Sequence, residues 1–152
     1  MLGQAMVGSS PVVSAAQTSF KSMAKMKAVQ PEMTRLKDLH KDDKVKMQNY
    51  LLFRLGMIRE ELDETCDAFK KGDPEEIVDG LIDLCVFAIG TLDVFNVDAH
   101  KAWDAIYEAN MAKSPGVKEG RPNPFGLPDL MKPDGWTAPS HEDNHGDLAN
   151  AL

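Results

Sequence analysis

What this chain has least of narrows it first. Its 152 residues hold two cysteines, Cys66 and Cys85. Two make no disulfide framework, and both fall within apolar helical patterns, where a free thiol serves as a small core residue. That usage suits a reducing compartment, and we expect a cytoplasmic protein. Basic charge is also short: 17 Lys and Arg against 24 Asp and Glu leave a net charge of −7. Such a balance offers no general field for phosphate backbones, which argues against a nucleic-acid partner. No basic residue precedes Lys21 and the N-terminus has no sustained apolar run, so it lacks the parts of a signal peptide. The long apolar segment from Ile77 to Phe95 is interrupted by Asp79, Asp83 and Asp93, which makes it a poor membrane span, and no membrane partner is expected. Internal repeats and β-hairpin signals are also absent from the sequence.

The length suits one domain, or one domain with tails. Residues 1–15 are small and polar and read as a loose N-terminus. A helical domain is expected over 16–114. A first amphipathic segment runs from Ala15 to about Ala28, and after Pro31 the charged stretch RLKDLHKDDKVK reads as either helix or solvated loop. The next segment is clearer, because Leu51, Leu55, Ile58, Leu62, Cys66 and Phe69 recur at steps of three and four, one face of a helix from Tyr50 to Lys71. Lys70 and Lys71 suit its C-terminal dipole and Gly72 its C-cap, while Asp73 and Pro74 supply the N-cap and first position of the following helix. So short a turn implies antiparallel neighbours. The second helix is expected from Pro74 to about Phe95, and a third, capped by Asp98, from Ala99 to about Lys113. From Pro115 onward proline and glycine recur every few residues, so 115–152 reads as an irregular C-terminal extension, its HEDNHGDLANAL end fraying. The fold class is therefore all-α, an antiparallel helical bundle with a Pro/Gly-rich tail.

The acids within this bundle carry the chemistry. Glu61 lies at the margin of the apolar stripe of the first helix, with Glu64 one turn on. On the second helix Glu76, Asp79 and Asp83 stand at i, i+3 and i+7, within a sector of roughly 60°, on a helix that is apolar in nearly every other direction. Packed about their short turn, the two helices set Glu61 and Glu64 to face Glu76 and Asp79. Carboxylates sharing a partly dry cleft repel by several kcal/mol even at an effective dielectric of about 20. Between Pro74 and His100 there is no Lys or Arg to compensate, and on the first helix Arg54 and Arg59 are the candidates before Lys70. A hard divalent cation held by oxygen ligands answers the repulsion, and Mg²⁺ is usually bound by a few carboxylates together with substrate phosphates.

The pattern Glu61-x-x-Glu64, eleven intervening residues, then Glu76-x-x-Asp79 resembles the signature of the all-α nucleoside triphosphate pyrophosphohydrolases, the group of MazG-like proteins, dimeric dUTPases and phosphoribosyl-ATP pyrophosphohydrolases. RLGMIREELDE is similar to that group's first catalytic helix, EIVDGLIDLCVFAIGTLDVFNVD to its second, and EANMAK to the Asn-Met-Ser-Lys stretch that ends the third in many bacterial and phage members. The likeness covers about residues 50 to 115, and GLPDLMKPDGW more weakly resembles the tail of phage-type members. The resemblance implies Mg²⁺-dependent cleavage between the α- and β-phosphates of a nucleoside triphosphate, with Mn²⁺ a substitute ion. It implies Glu61, Glu64, Glu76 and Asp79 as metal ligands, Asp83 in a supporting or second-metal place, and Glu60 or one of the ligands orienting the attacking water. Arg54, Asn110 and Lys113 are the expected substrate contacts, the last two sharing one face at i and i+3.

Blander readings stand beside these. Glu60, Glu61 and Glu64 alone describe a solvated helical face, and Asn110 with Lys113 an ordinary helix end. The rival function is a non-catalytic helical oligomer or metal-binding interaction protein. A ferritin-like di-iron site fails, since no histidine stands three residues after Glu60, Glu61, Glu64, Glu75 or Glu76. The apolar surface of three helices also implies a homo-oligomer, a dimer or tetramer.

Overall fold

Turn chemistry sets the helix boundaries. The computed structural model describes residues 30–152. Within them run α1 (Gln30–Leu39), α2 (Lys44–Lys71), α3 (Pro74–Val94) and α4 (Ala99–Met111), two short strands, β1 (Ser114–Gly116) and β2 (Asp129–Met131), and a final 3-10 helix (Leu148–Ala151). The architecture is all-α, as expected. The segment from Ala15 to Ala28 lies outside the described residues. Contacts divide the chain into two units, one comprising residues up to Phe95 together with Asp147–Leu152, the other Asn96–Gly146.

In the first unit the charged stretch resolves into the end of α1, a turn, and the start of α2. Asp43 caps α2, its carboxylate accepting from the Lys46 N–H at 3.1 Å, so the helix begins six residues before the expected Tyr50. Gly72 closes it in the left-handed conformation at φ 72°, and Asp73 accepts from the Glu75 and Glu76 N–H groups at 3.2 and 3.3 Å to open α3. The α2–α3 turn is thus built as its residues dictate.

What the two helices bury differs from expectation. The stripe containing Leu55, Leu62, Cys66 and Phe69 is exposed, Phe69 to 75%, and Cys66 and Cys85 are both surface thiols. Val78, Leu81 and Ile82 of α3 are exposed as well, so that helix is not buried on all sides. The buried residues are instead Met47, Arg54, Thr65 and Ala68 of α2, and Gly80, Gly90, Thr91 and Val94 of α3. Periodicity finds the side of a helix that needs covering; it does not say that the neighbouring helix covers it. Here the helices meet along the small residues beside that stripe, where a Cβ on Gly80 would stand 2.2 Å from Thr65 Oγ1.

The C-terminal residues, expected to fray, are tied into this unit. The Asp147 N–H donates to the Phe95 carbonyl at 2.7 Å, its carboxylate pairs with Lys37, and Ala151 is buried. Lys37 is fully buried and also meets Asp38 at 2.7 Å. Burial pulls its ammonium down, but hydrogen bonds to Asp147 and Asp38 outweigh this and hold it above the ordinary lysine value.

In the second unit Asp98 caps α4 through the Lys101 N–H at 3.0 Å, and the helix ends at Met111, two residues before the expected Lys113. Buried Asn144 brackets that cap, accepting from the Asp98 N–H at 2.8 Å and donating to its carbonyl at 2.7 Å. The tail is not wholly irregular: β1 and β2 pair antiparallel, Ser114 opposite Met131 and Gly116 opposite Asp129. Three-residue strands interrupted by proline carry no alternation to read, so the sequence hides them.

Candidate active site

Two fixed contacts give the register of α2 against α3. Thr65 abuts Gly80, and Arg54, one end of the pair further on, donates through Nε to Thr91 Oγ1 at 3.1 Å and through a terminal nitrogen to the Phe87 carbonyl at 3.3 Å. Moving back along α2 therefore means moving forward along α3. By both contacts Glu64 stands opposite Leu81, between Asp79 and Asp83, and Glu61 opposite Leu84, next to Asp83. Glu76 lies a turn nearer the connection, level with the Ala68–Phe69 end of α2. The α3 acids are thus strung along the level of the α2 acids, with Asp79 and Asp83 on either side of Glu64 and Glu76 nearer the connection.

The electrostatics follow this geometry. Partial burial, then the charges of Asp83, Glu64, Glu60 and Asp79 in that order, hold the Glu61 carboxyl above the ordinary carboxylate range. Among the described residues no ion pair involves Glu61, Glu64, Asp79 or Asp83, so the repulsion on Glu61 has no cationic side chain set against it. Glu60, Glu64, Glu76 and Asp79 are exposed, and Glu61 and Asp83 are half-buried. The premise that these acids sit on a buried helix is thereby corrected: they line an open face.

A hard cation suits this donor set, which is all carboxylate oxygen, crowded and uncompensated. Among the described residues no three acidic, histidine or cysteine side chains stand so as to hold an ion as they are placed.

Arg54 does something other than expected. It is 5% exposed, its donors are turned to Thr91 and Phe87, and its guanidinium lies 5.7 Å from the Phe87 ring centroid. Thr91 in turn donates to the Phe87 carbonyl at 2.7 Å. Arg54 thus pins α2 to α3 and sets the register of the acids, a role that its position near the acid line did not reveal. Thr65 and Gly80 were missed for the same purpose; a glycine inside an apolar helix is the signal that marks a close backbone approach. Asn110 and Lys113 belong to the second unit, where Lys113 Nζ donates to Asn110 Oδ1 at 2.8 Å.

Comparison with known proteins adds three findings. The family model for phosphoribosyl-ATP pyrophosphohydrolase matches residues 26–110, more than half of the chain. Over a much shorter stretch the chain is similar to the membrane protein insertase YidC of Pelagibacter ubique (strain HTCC1062), 62% identical over 37 residues, which are 24% of this chain and 7% of that protein. It is likewise 57% identical over 37 residues to the membrane protein insertase YidC of Methylorubrum extorquens (strain PA1), 24% of this chain and 6% of that protein. The chain therefore spans less than a tenth of these curated relatives, and among the described residues no helix is long and apolar enough to cross a membrane. No solved structure matches the chain.

Proposed function

We propose that this chain, which belongs to the phosphoribosyl-ATP pyrophosphohydrolase family, is a Mg²⁺-dependent nucleoside triphosphate pyrophosphohydrolase. It would cleave between the α- and β-phosphates to release nucleoside monophosphate and pyrophosphate, and we place it in the cytoplasm. Membership gives the broader reading, a hydrolase of phosphoanhydride bonds. The observation that supports the narrower one is the antiparallel α2–α3 packing, with Glu61 and Glu64 near the level of Asp79 and Asp83 on a face that has no counter-charge among the described residues.

In this reading Glu61, Glu64, Glu76 and Asp79 would hold the ion, with Asp83 in a supporting or second-metal place. A bound divalent ion would supply charge neutralisation and Lewis-acid polarisation at the phosphoryl oxygens. The chain's own residues do the rest. Glu60, exposed beside Glu61, accepts a hydrogen bond from the attacking water and orients it. Glu60, which is not among the ion's ligands, takes up the proton that this water loses. Arg54, Thr65 and Gly80 keep the two rows of acids at fixed separation. No cysteine or serine nucleophile is required, since in-line positioning and charge stabilisation suffice for phosphoryl transfer.

The apolar stripe left open on α2 and α3, with Leu62, Phe69, Leu81 and Ile82 exposed, supports a homo-oligomer that covers it, a dimer or tetramer. A scattering mass of one chain would refute that part alone. The activity is tested by incubating a panel of nucleoside triphosphates with the protein, with and without Mg²⁺, and measuring pyrophosphate. Release from at least one nucleotide only with the metal is expected; no release from any of them leaves the non-catalytic helical assembly as the better account.

A further inference from the structure

Two lysines from distant parts of the second unit meet on one aromatic ring. Trp136 is fixed against α4 by its indole N–H, which donates to the Ala109 carbonyl at 2.8 Å. Lys113 Nζ lies 4.8 Å from its centroid and Lys132 Nζ 4.5 Å. The β ladder explains their meeting: Ser114 is paired with Met131 in antiparallel register, so the next opposed positions outward are 113 and 132. Like charges opposed across a ladder destabilise it. Lys118 and Arg121 of this unit share a carboxylate, Asp129, at 3.3 and 2.8 Å. Among the described residues, however, neither Lys113 nor Lys132 is in an ion pair. What faces them is the electron-rich indole and, for Lys113, the amide oxygen of Asn110 at 2.8 Å. Both orient ammonium groups without neutralising them. In a chain of net charge −7, these are two ammonium groups held on one ring with no carboxylate paired to either among the described residues.

We propose that Lys113 and Lys132, opposed by the β1–β2 ladder and seated on Trp136, form a binding site for a phosphoanhydride anion, either pyrophosphate or the phosphate chain of a nucleotide. Two separated ammonium groups match an anion whose charge is spread over several oxygens on linked phosphorus atoms. The inference rests on the proposed activity only for its choice of ligand, and the site lies wholly within the second unit. It assigns Lys132 and Trp136 roles that neither the acid signature nor the third-helix motif contains. It needs no metal and no hydrolysis.

The test is a titration of the full-length chain with pyrophosphate, and separately with a nucleoside triphosphate, in EDTA so that no turnover occurs, followed by tryptophan fluorescence and calorimetry. Saturable binding that weakens with added salt is expected, with the Kd raised roughly fivefold or more in Lys132→Gln and kept within about twofold in Lys132→Arg. Lys118→Gln, which alters a lysine already paired with Asp129, should bind as wild type. Absence of saturable binding by the wild type, an unchanged Kd in Lys132→Gln, or an equal loss in Lys118→Gln would overturn the site. Because metal is excluded, such a failure leaves the Mg²⁺-dependent activity standing, and loss of that activity leaves this site standing.

Discussion

Gly80 is the tightest point between α2 and α3, and its replacement by alanine probes the packing that sets the acids in register. A Cβ there would lie 2.2 Å from Thr65 Oγ1, 3.3 Å from Thr65 Cβ and 3.6 Å from its Cα. The first distance is far inside contact, and Thr65 is poorly able to yield. Its hydroxyl donates to the Glu61 carbonyl at 2.7 Å, and as a β-branched residue in a helix it has few rotamers. Overpacking of this kind costs about 1–3 kcal/mol, while alanine in place of a helical glycine returns about 0.5–1 kcal/mol. A net loss of roughly 1–2 kcal/mol is expected, a fall of several degrees in Tm for a chain of this size. Because the strain is relieved by spreading the helices at the level of Glu64 and Asp79, turnover should fall more than the folded fraction does. Adding Thr65→Ala removes the 2.2 Å clash and leaves the 3.3 Å approach, so the double variant should recover much of both. Thermal melts and pyrophosphate release on the four proteins of this cycle measure the coupling directly. A Gly80→Ala protein as stable and active as wild type, or a Thr65→Ala change that is merely additive, would refute the close-approach argument.

Other outcomes follow from the same contacts. Asp147→Ala leaves buried Lys37 with Asp38 alone, and the expected cost is roughly 2–3 kcal/mol in urea denaturation, with Lys37→Met much milder because it removes the charge instead of stranding it. Since Lys37 is held above the ordinary lysine value in the folded chain, its pair contributes stability that is complete below the unfolded-state value and lost as pH rises through the folded one. Wild type should therefore lose stability in strongly alkaline solution relative to Lys37→Met; parallel alkaline curves would contradict this. Glu64→Gln and Asp79→Asn should each abolish turnover while leaving metal-free stability equal or higher, because repulsion on Glu61 is relieved, and activity near wild type in either removes that residue from the site. Arg54→Met should lower stability and activity together, whereas a rise in KM with kcat and Tm unchanged would instead restore Arg54 as a substrate contact.

What could be read from the sequence was what local chemistry determines. Asp73, Pro74 and Gly72 announce the α2–α3 turn because each satisfies or relieves backbone groups within a few residues of itself, and Asp98 does the same for α4. The acid rows were legible for a related reason, since helical spacing fixes which side chains share a face. Which α2 position opposes which α3 position was not, because the register depends on where Gly80 admits Thr65 and where Arg54 finds Thr91, contacts between residues far apart in sequence. The same holds for Asn144 bracketing Asp98 and for Asp147 reaching Lys37, in a tail whose composition reads as loose. The apolar stripe through Leu62 and Phe69 misled in an instructive way: it reported a surface in need of a neighbour, and the nearest helix is not that neighbour.

The central claim is that acids of α2 and α3 share one divalent ion. Calorimetric titration of Mg²⁺, with Mn²⁺ as a second ion, into the purified wild-type chain and into Glu64→Gln and Asp79→Asn measures it without reference to any substrate. The account predicts saturable binding by wild type that is lost or strongly weakened in both variants. Binding of equal strength in all three proteins, or none in wild type, would contradict it.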